Sequence, residues 1–358
     1  MALFGFTASV RAKMPRDGSL ARFPLRVFLV ICLTTISSQL AAGPVSLTLT
    51  DKWSGVFAGE KSSFNVLVAS EHGLNGTLSW RLHAQGRTIF RQQKPISVTP
   101  GDETPFSVSI YPPAVNDGVV LDAILQVELT EDGTEQPVAR INRTVRLFNK
   151  DPFVQKKNGL AAIGIALFDP TGKTAAVFES AGIPFTRVRD VGSVSGFTGK
   201  VLIVGEGTSL SQYRGLSDRL LRLAGAGVPV LCLAPASGEF PLNAFLHRQF
   251  EQPNTLALKR QDVIGELNTR LDSLSWPPDG KVVATSIQLA SDRNGVVGKV
   301  GTGDTGWPWM EIDFGPGKGR FVFAGFAIIE KWNAGPAPRF LLDTLLNYIQ
   351  HTDFKKEE

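Results

Sequence analysis

Between residues 45 and 148 apolar and polar residues alternate in short runs, at 45–50, 63–69, 76–84, 87–91, 96–98, 105–110, 119–129 and 138–147. A period of two puts every second side chain on one face of a strand, so the pattern predicts about eight half-buried strands in one β-sandwich module. Turn chemistry separates them: Ala58-Gly59, Asn75-Gly76, Gln85-Gly86, Pro100-Gly101, Asn116-Asp117-Gly118 and Asp132-Gly133 each offer a positive-φ or fixed-φ residue. Leu78, Trp80 and Leu82 fall on one face, which reads Trp80 as core. The alternative is a sugar-stacking platform built on Trp53, Trp80 or Tyr111.

The period then changes. Residues 160–168 form the continuous apolar run of a strand buried on both faces, and 171–181 has helical spacing that stops at Gly182. Further apolar strands are predicted at 185–188, 200–205 and 228–233, with a helix over 209–224 that aligns Tyr213, Leu216, Leu220 and Leu223. Helices near 240–249 and 261–273, strands near 281–289, 308–314 and 320–328, and a closing helix over 338–350 complete the reading. Strands alternating with helices through short Gly/Pro joints predict a doubly wound, mostly parallel sheet. The chain is therefore expected to be multidomain, β followed by α/β. Its divisions are a leader at 1–43, a sandwich at 44–149, a linker at 150–158 with its exposed boundary expected over 155–159, an α/β domain at 159–351 and a charged tail at 352–358.

The leader changes how the charge is read. Arg11, Lys13, Arg16, Arg22 and Arg26 precede an apolar run at 27–33, and the small residues Ala41-Ala42-Gly43 follow, the order of a secretory signal. That order predicts an exported protein, periplasmic or extracellular, held at a membrane only if the leader stays uncleaved. The formal charge of +4 comes largely from this segment, which carries five basic residues against Asp17. Without it 32 basic and 32 acidic residues remain, a balance that excludes nucleic acid as a partner. Cys32 lies within the leader, so Cys232 is left alone and no internal disulfide is expected. With 358 residues, 43% of them hydrophobic, the chain has ample material for a packed core and does not read as disordered.

Three stretches carry a resemblance. Gly164-Ile165-Ala166-Leu167-Phe168-Asp169, residues 200–207 and Gly227-Val228-Pro229-Val230-Leu231 together resemble the class I glutamine-amidotransferase-like fold, which is flavodoxin-like. The end of the chain, from Gly317 through Trp332 to Tyr348, resembles the end of such domains attached to bacterial glycosidases, where they serve as accessory or oligomerisation modules. The preceding strands resemble the immunoglobulin-like modules of extracellular glycosidases. Active amidotransferases of this class place a cysteine on the turn after the fourth strand, and Ala234 stands there. They also place a histidine shortly after the last strand, and Ile329 stands at that point. The resemblance therefore implies a domain without amidotransferase chemistry, and Cys232 reads as a buried small hydrophobe.

Other chemistry turns on the spacing of the remaining polar residues. The histidines at 72, 83, 247 and 351 lack any ligand spacing, so no metal is expected, and no motif calls for a cofactor. Asp169–Thr174 ends like a phosphate-binding loop but has Leu167 where the first glycine belongs. In an open α/β sheet ligands sit beyond the carboxyl ends of the strands, so the candidate ligand residues are Asp169, Thr171, Gly205, Glu206, Gly207 and Ser237. Trp307, Trp309 and Trp332 are candidate aromatic contacts, with core packing the competing reading. The expected function is a non-catalytic binding, assembly or glycosidase-accessory protein whose partner is a carbohydrate, a protein or a second copy. Two alternatives stay open: a hydrolase of glycans or esters using Asp169, Glu206 or a Ser237–His247 pair, and a structural protein of the cell envelope.

Overall fold

The computed structural model describes residues 45–196, 199–236, 239–241, 253–271, 287–290, 296–300 and 308–350. Eight strands come first: β1 (Val45–Leu49), β2 (Gly55–Phe57), β3 (Ser62–Ser70), β4 (Leu74–Ala84), β5 (Arg87–Val98), β6 (Glu103–Ile110), β7 (Val120–Glu131) and β8 (Ala139–Phe148). They form a three-stranded sheet ordered β1-β3-β6 and a five-stranded sheet ordered β2-β8-β7-β4-β5. One hydrophobic cluster draws on both sheets, including Phe64, Val66 and Val68 of β3, Leu78, Trp80 and Leu82 of β4 and Val108 of β6. Trp80 is buried as its period indicates, and its indole N–H donates to the Ser109 carbonyl at 2.7 Å, tying one sheet to the other. Two details depart from the sequence reading. Residues 87–91 and 96–98 belong to one twelve-residue strand, β5. Asn75-Gly76 is not a turn but lies within β4, where a Cβ on Gly76 would sit 2.3 Å from the Thr130 carbonyl oxygen. The turn before it is made by Gly73, at φ 73°.

Helices and strands then alternate: α1 (Lys157–Ile163), β9 (Ile165–Phe168), α2 (Lys173–Ala181), β10 (Thr186–Val188), β11 (Val201–Val204), α3 (Leu216–Gly225) and β12 (Val230–Leu233). β13 (Glu239–Pro241), β14 (Thr255–Lys259), α4 (Val263–Leu267), β15 (Ile287–Ala290), β16 (Val296–Val300), β17 (Trp309–Asp313), β18 (Arg320–Ala324) and α5 (Pro336–Gln350) follow. Seven strands form one sheet in the order β10-β9-β11-β12-β18-β17-β14; the first five run parallel, and β17 and β14 are added antiparallel.

Every residue of β9, β11 and β12 is buried. Their side chains divide between two cores with period two. Ile165, Leu167, Ile203, Leu231 and Leu233 face α1, α2 and α5, whereas Phe168, Leu202, Val204, Val230 and Cys232 face α3. The run 160–168 is therefore not one strand. Its first residues close α1, Gly164 takes φ 61° to reverse the chain, and only Ile165–Phe168 enters the sheet. The stripe read as a helix from 209 starts at Leu216, because Gly215 at φ 75° sets the helix entry. The helix expected at 240–249 meets β13 at its first residues, and the rest of that span lies outside the described residues.

The two halves share a core. Phe148 at the end of β8 and Phe153 just beyond it belong to the cluster built on the parallel sheet and α5. Phe148 meets the Phe340 ring edge-on at 4.9 Å, and Phe153 stacks on Trp332 at 6.2 Å. The Arg339 guanidinium lies 4.8 Å from the Phe57 ring and donates to the carbonyls of Lys150 and Trp332. The Lys156 ammonium reaches the Asp343 carboxylate at 2.6 and 2.8 Å. The stretch 150–158 is thus anchored at Pro152 and Phe153, which are buried, while Gln155, Lys156, Asn158 and Gly159 are exposed, as expected of the boundary. Truncation of a fully buried aromatic leaves a cavity, so Phe153→Ala is expected to lower unfolding free energy by about 3–5 kcal/mol in urea denaturation. A loss below about 1 kcal/mol would contradict this packing.

Candidate functional site

β9, β11 and β12 end side by side, and the loops that leave them meet at one edge of the sheet. Their backbones are stitched together: Gly205 N–H donates to the Phe168 carbonyl, Gly207 N–H to Ala234 and Ala236 N–H to Thr208, at 2.8, 2.8 and 3.1 Å. Gly205 is required by space rather than by φ. A Cβ there would lie 2.7 Å from the Asp169 carboxyl carbon.

That carboxylate has a structural assignment. Asp169 Oδ1 accepts from the Thr171 hydroxyl and Oδ2 from the Ala175 N–H, both at 2.8 Å, so Asp169 satisfies the open first turn of α2. The residue at the helix entry, Gly172, has no side chain with which to do so.

Glu206 is buried at the centre of the arrangement, 8% exposed. Its Oε2 accepts from the Ile329 N–H at 2.8 Å and its Oε1 from the Glu330 N–H at 2.9 Å, holding the turn that follows β18. Its own N–H donates to the Thr174 hydroxyl at 2.9 Å. Burial pushes the carboxyl up to about 7, and the N–H groups of Ile329 and Glu330 pull the other way without prevailing. Beside it opens a crevice of about 480 Å³. Val177, Ala234, Pro235, Ala236 and Ile329 line it with aliphatic surface, and Lys173 and Glu330 contribute the charged side chains besides Glu206.

Asp169, Thr171, Gly205, Glu206 and Gly207 thus lie together at these strand ends, although only Glu206 and Gly207 line the crevice itself. Ser237, His247 and Trp307 lie outside the described residues. Trp309 is fully buried against Tyr348 and Trp332 is 7% exposed beneath Phe153, so both rings are packing elements and offer no face to a ligand. Cys232 is fully buried on the opposite, α3-facing side of the sheet, and burial pushes its thiol up to about 12. Ala234 does line the crevice. The wall contributed after β18 was not legible beforehand, because Ile329 and Glu330 join the site through backbone N–H groups that any residue type supplies. Among the described residues no three His, Cys, Asp or Glu side chains gather as a metal site, and no helix is long and apolar enough to cross a membrane.

No family model matches the chain, and no curated protein matches it. Solved structures are similar only in part. A sporulation control protein from Bacillus subtilis matches over 34% of this chain and 56% of its own, at 15% identity and a TM-score of 0.22. A family 2 β-glucuronidase matches over 55% of this chain and 20% of its own, at 13% identity and a TM-score of 0.23. A family 123 glycoside hydrolase from Clostridium perfringens matches over 47% of this chain and 38% of its own, at 8% identity and a TM-score of 0.24. The chain spans little more than half of the first of these and less of the other two.

Folding raises the Glu206 pKa from 4.5 to about 7, so the folded chain keeps a proton that the unfolded chain releases within that window. Stability is therefore fully present below pH 4.5 and falls by roughly 3 kcal/mol as pH rises to 7. In thermal melts from pH 4.5 to 8, Glu206→Gln is expected to flatten this slope while lowering stability throughout, since its amide cannot accept both N–H groups. Equal slopes for the two proteins would refute the assignment. Gly205→Ala should cost about 1–3 kcal/mol in the same melts by displacing Asp169 from α2.

Proposed function

We propose that this is an exported, non-catalytic ligand-binding protein whose crevice at the carboxyl ends of β9, β11, β12 and β18 takes a small molecule with a largely aliphatic body. The observation that carries the reading is the state of the carboxylates. Asp169 and Glu206 each have both oxygens engaged by backbone or side-chain donors of the surrounding loops, which gives both carboxylates a structural task. The wall is mainly aliphatic, as ligand pockets usually are, and Lys173 and Glu330 offer opposite charges to orient a polar end.

On this reading the second half is an amidotransferase-like, flavodoxin-like domain that has lost its chemistry, behind an immunoglobulin-like sandwich. Two features support it. Counted along the chain, the five parallel strands follow the order 2-1-3-4-5 of that architecture. Ala234, without a nucleophile, occupies the turn after β12. Export rests on the leader at 1–43.

The test is a thermal-shift screen with branched-chain amino acids and C4–C8 carboxylates as probes. We expect at least one to give a saturable upward shift that Ala236→Trp abolishes by filling the exposed rim of the crevice. Glycan or ester hydrolysis lost in a folded Glu206→Ala variant would overturn the proposal in favour of an enzyme. Absence of any shift across the panel would also overturn it.

A further inference from the structure

The hairpin of β4 and β5, residues 74–98, contains Arg81, Arg87, Arg91 and Lys94 and no aspartate or glutamate. In a chain that is otherwise charge-balanced, this is a local concentration of cations. Register sharpens it, because Arg81 stands directly opposite Arg91, with Ser79 opposite Gln93 two residues along the same face. Like charges paired across strands destabilise a bare sheet.

The neighbouring strand offers little relief. Glu128 of β7 is buried, with Oε1 2.5 Å from Arg140 and Oε2 3.7 Å from Arg81, so its close partner is Arg140. Arg91 is exposed and has no ion pair or side-chain hydrogen bond among the described residues.

A groove of about 960 Å³ runs over these residues, lined by Ser79, Arg81, Thr88, Arg91, Gln92 and Gln93 together with Ile89 and Phe90. Hydroxyls, carboxamides and two guanidiniums are the groups that recognise a chain of hydroxyls carrying carboxylates. We infer that this groove binds an acidic oligosaccharide, its carboxylate bridging Arg81 and Arg91 and its hydroxyls meeting Ser79 and Gln93, which share their face. A peptide is less suited to the site. It would read the free edge of β5, where Pro95 has no N–H to give and Lys94 stands beside it, whereas the groove lies over side chains. This site is separate from the crevice and does not depend on the reading given for it.

The experiment is calorimetric titration of the full chain with tetragalacturonate, with maltotetraose and hexaglutamate as comparisons. Binding of tetragalacturonate is expected, weakened at least tenfold by Arg91→Gln and again by Arg81→Gln, and weakened further between 50 and 300 mM salt. Arg91 is exposed, so Arg91→Gln should keep the wild-type melting temperature, which separates lost binding from lost folding. Maltotetraose should bind at least tenfold more weakly. No binding of tetragalacturonate, binding unchanged in folded Arg91→Gln, or equal binding of hexaglutamate would each overturn the inference, the last by making the groove an acidic-peptide site.

Discussion

A sheet buried on both faces has no room for polar side chains along its strands, and this constraint organises the α/β half of the molecule. β9, β11 and β12 give every residue to one of two hydrophobic cores, so the polar groups they carry gather where the strands stop. At those ends the loops bring their own unsatisfied backbone groups, which must find partners before the site can hold together. Asp169 and Glu206 supply them. One carboxylate closes the start of α2, and the other fixes the turn after β18 to the loop after β11. The two carboxylates thereby fasten the loops at the strand ends to α2 and to the turn after β18.

The same constraint explains the fate of Cys232. Period two along β12 sends its thiol to the α3 side and Leu233 to the other, while the crevice begins one residue later at Ala234. With its thiol in the α3-side core, Cys232 does not face the crevice.

Much of this was legible in the sequence. Alternation located the strands of the sandwich, and the switch to continuous apolar runs located the parallel sheet, because both patterns report burial directly. The reading failed where a single glycine decided the matter. Leu160 and Ile163 are as apolar as Ile165 and Leu167, and only the left-handed turn at Gly164 separates helix from strand. Gly76 looked like a turn glycine but is small because β7 passes close by. The loops carrying Asp169 and Glu206 could be placed by rule, whereas the backbone partners of Glu206 lie more than 120 residues away and leave no compositional trace. Nor could alternation alone set Arg81 against Arg91, since register depends on the bulge between Leu82 and His83.

The shared core at Phe148, Phe153 and Phe340, with Arg339 spanning Phe57 and Trp332, does more than join two halves. It fixes the span between the groove on the sandwich and the crevice on the parallel sheet. Because aromatic side chains from both halves fill one cluster, neither half can lose its structure without exposing part of the other's core, and the two are bound to unfold as one cooperative unit.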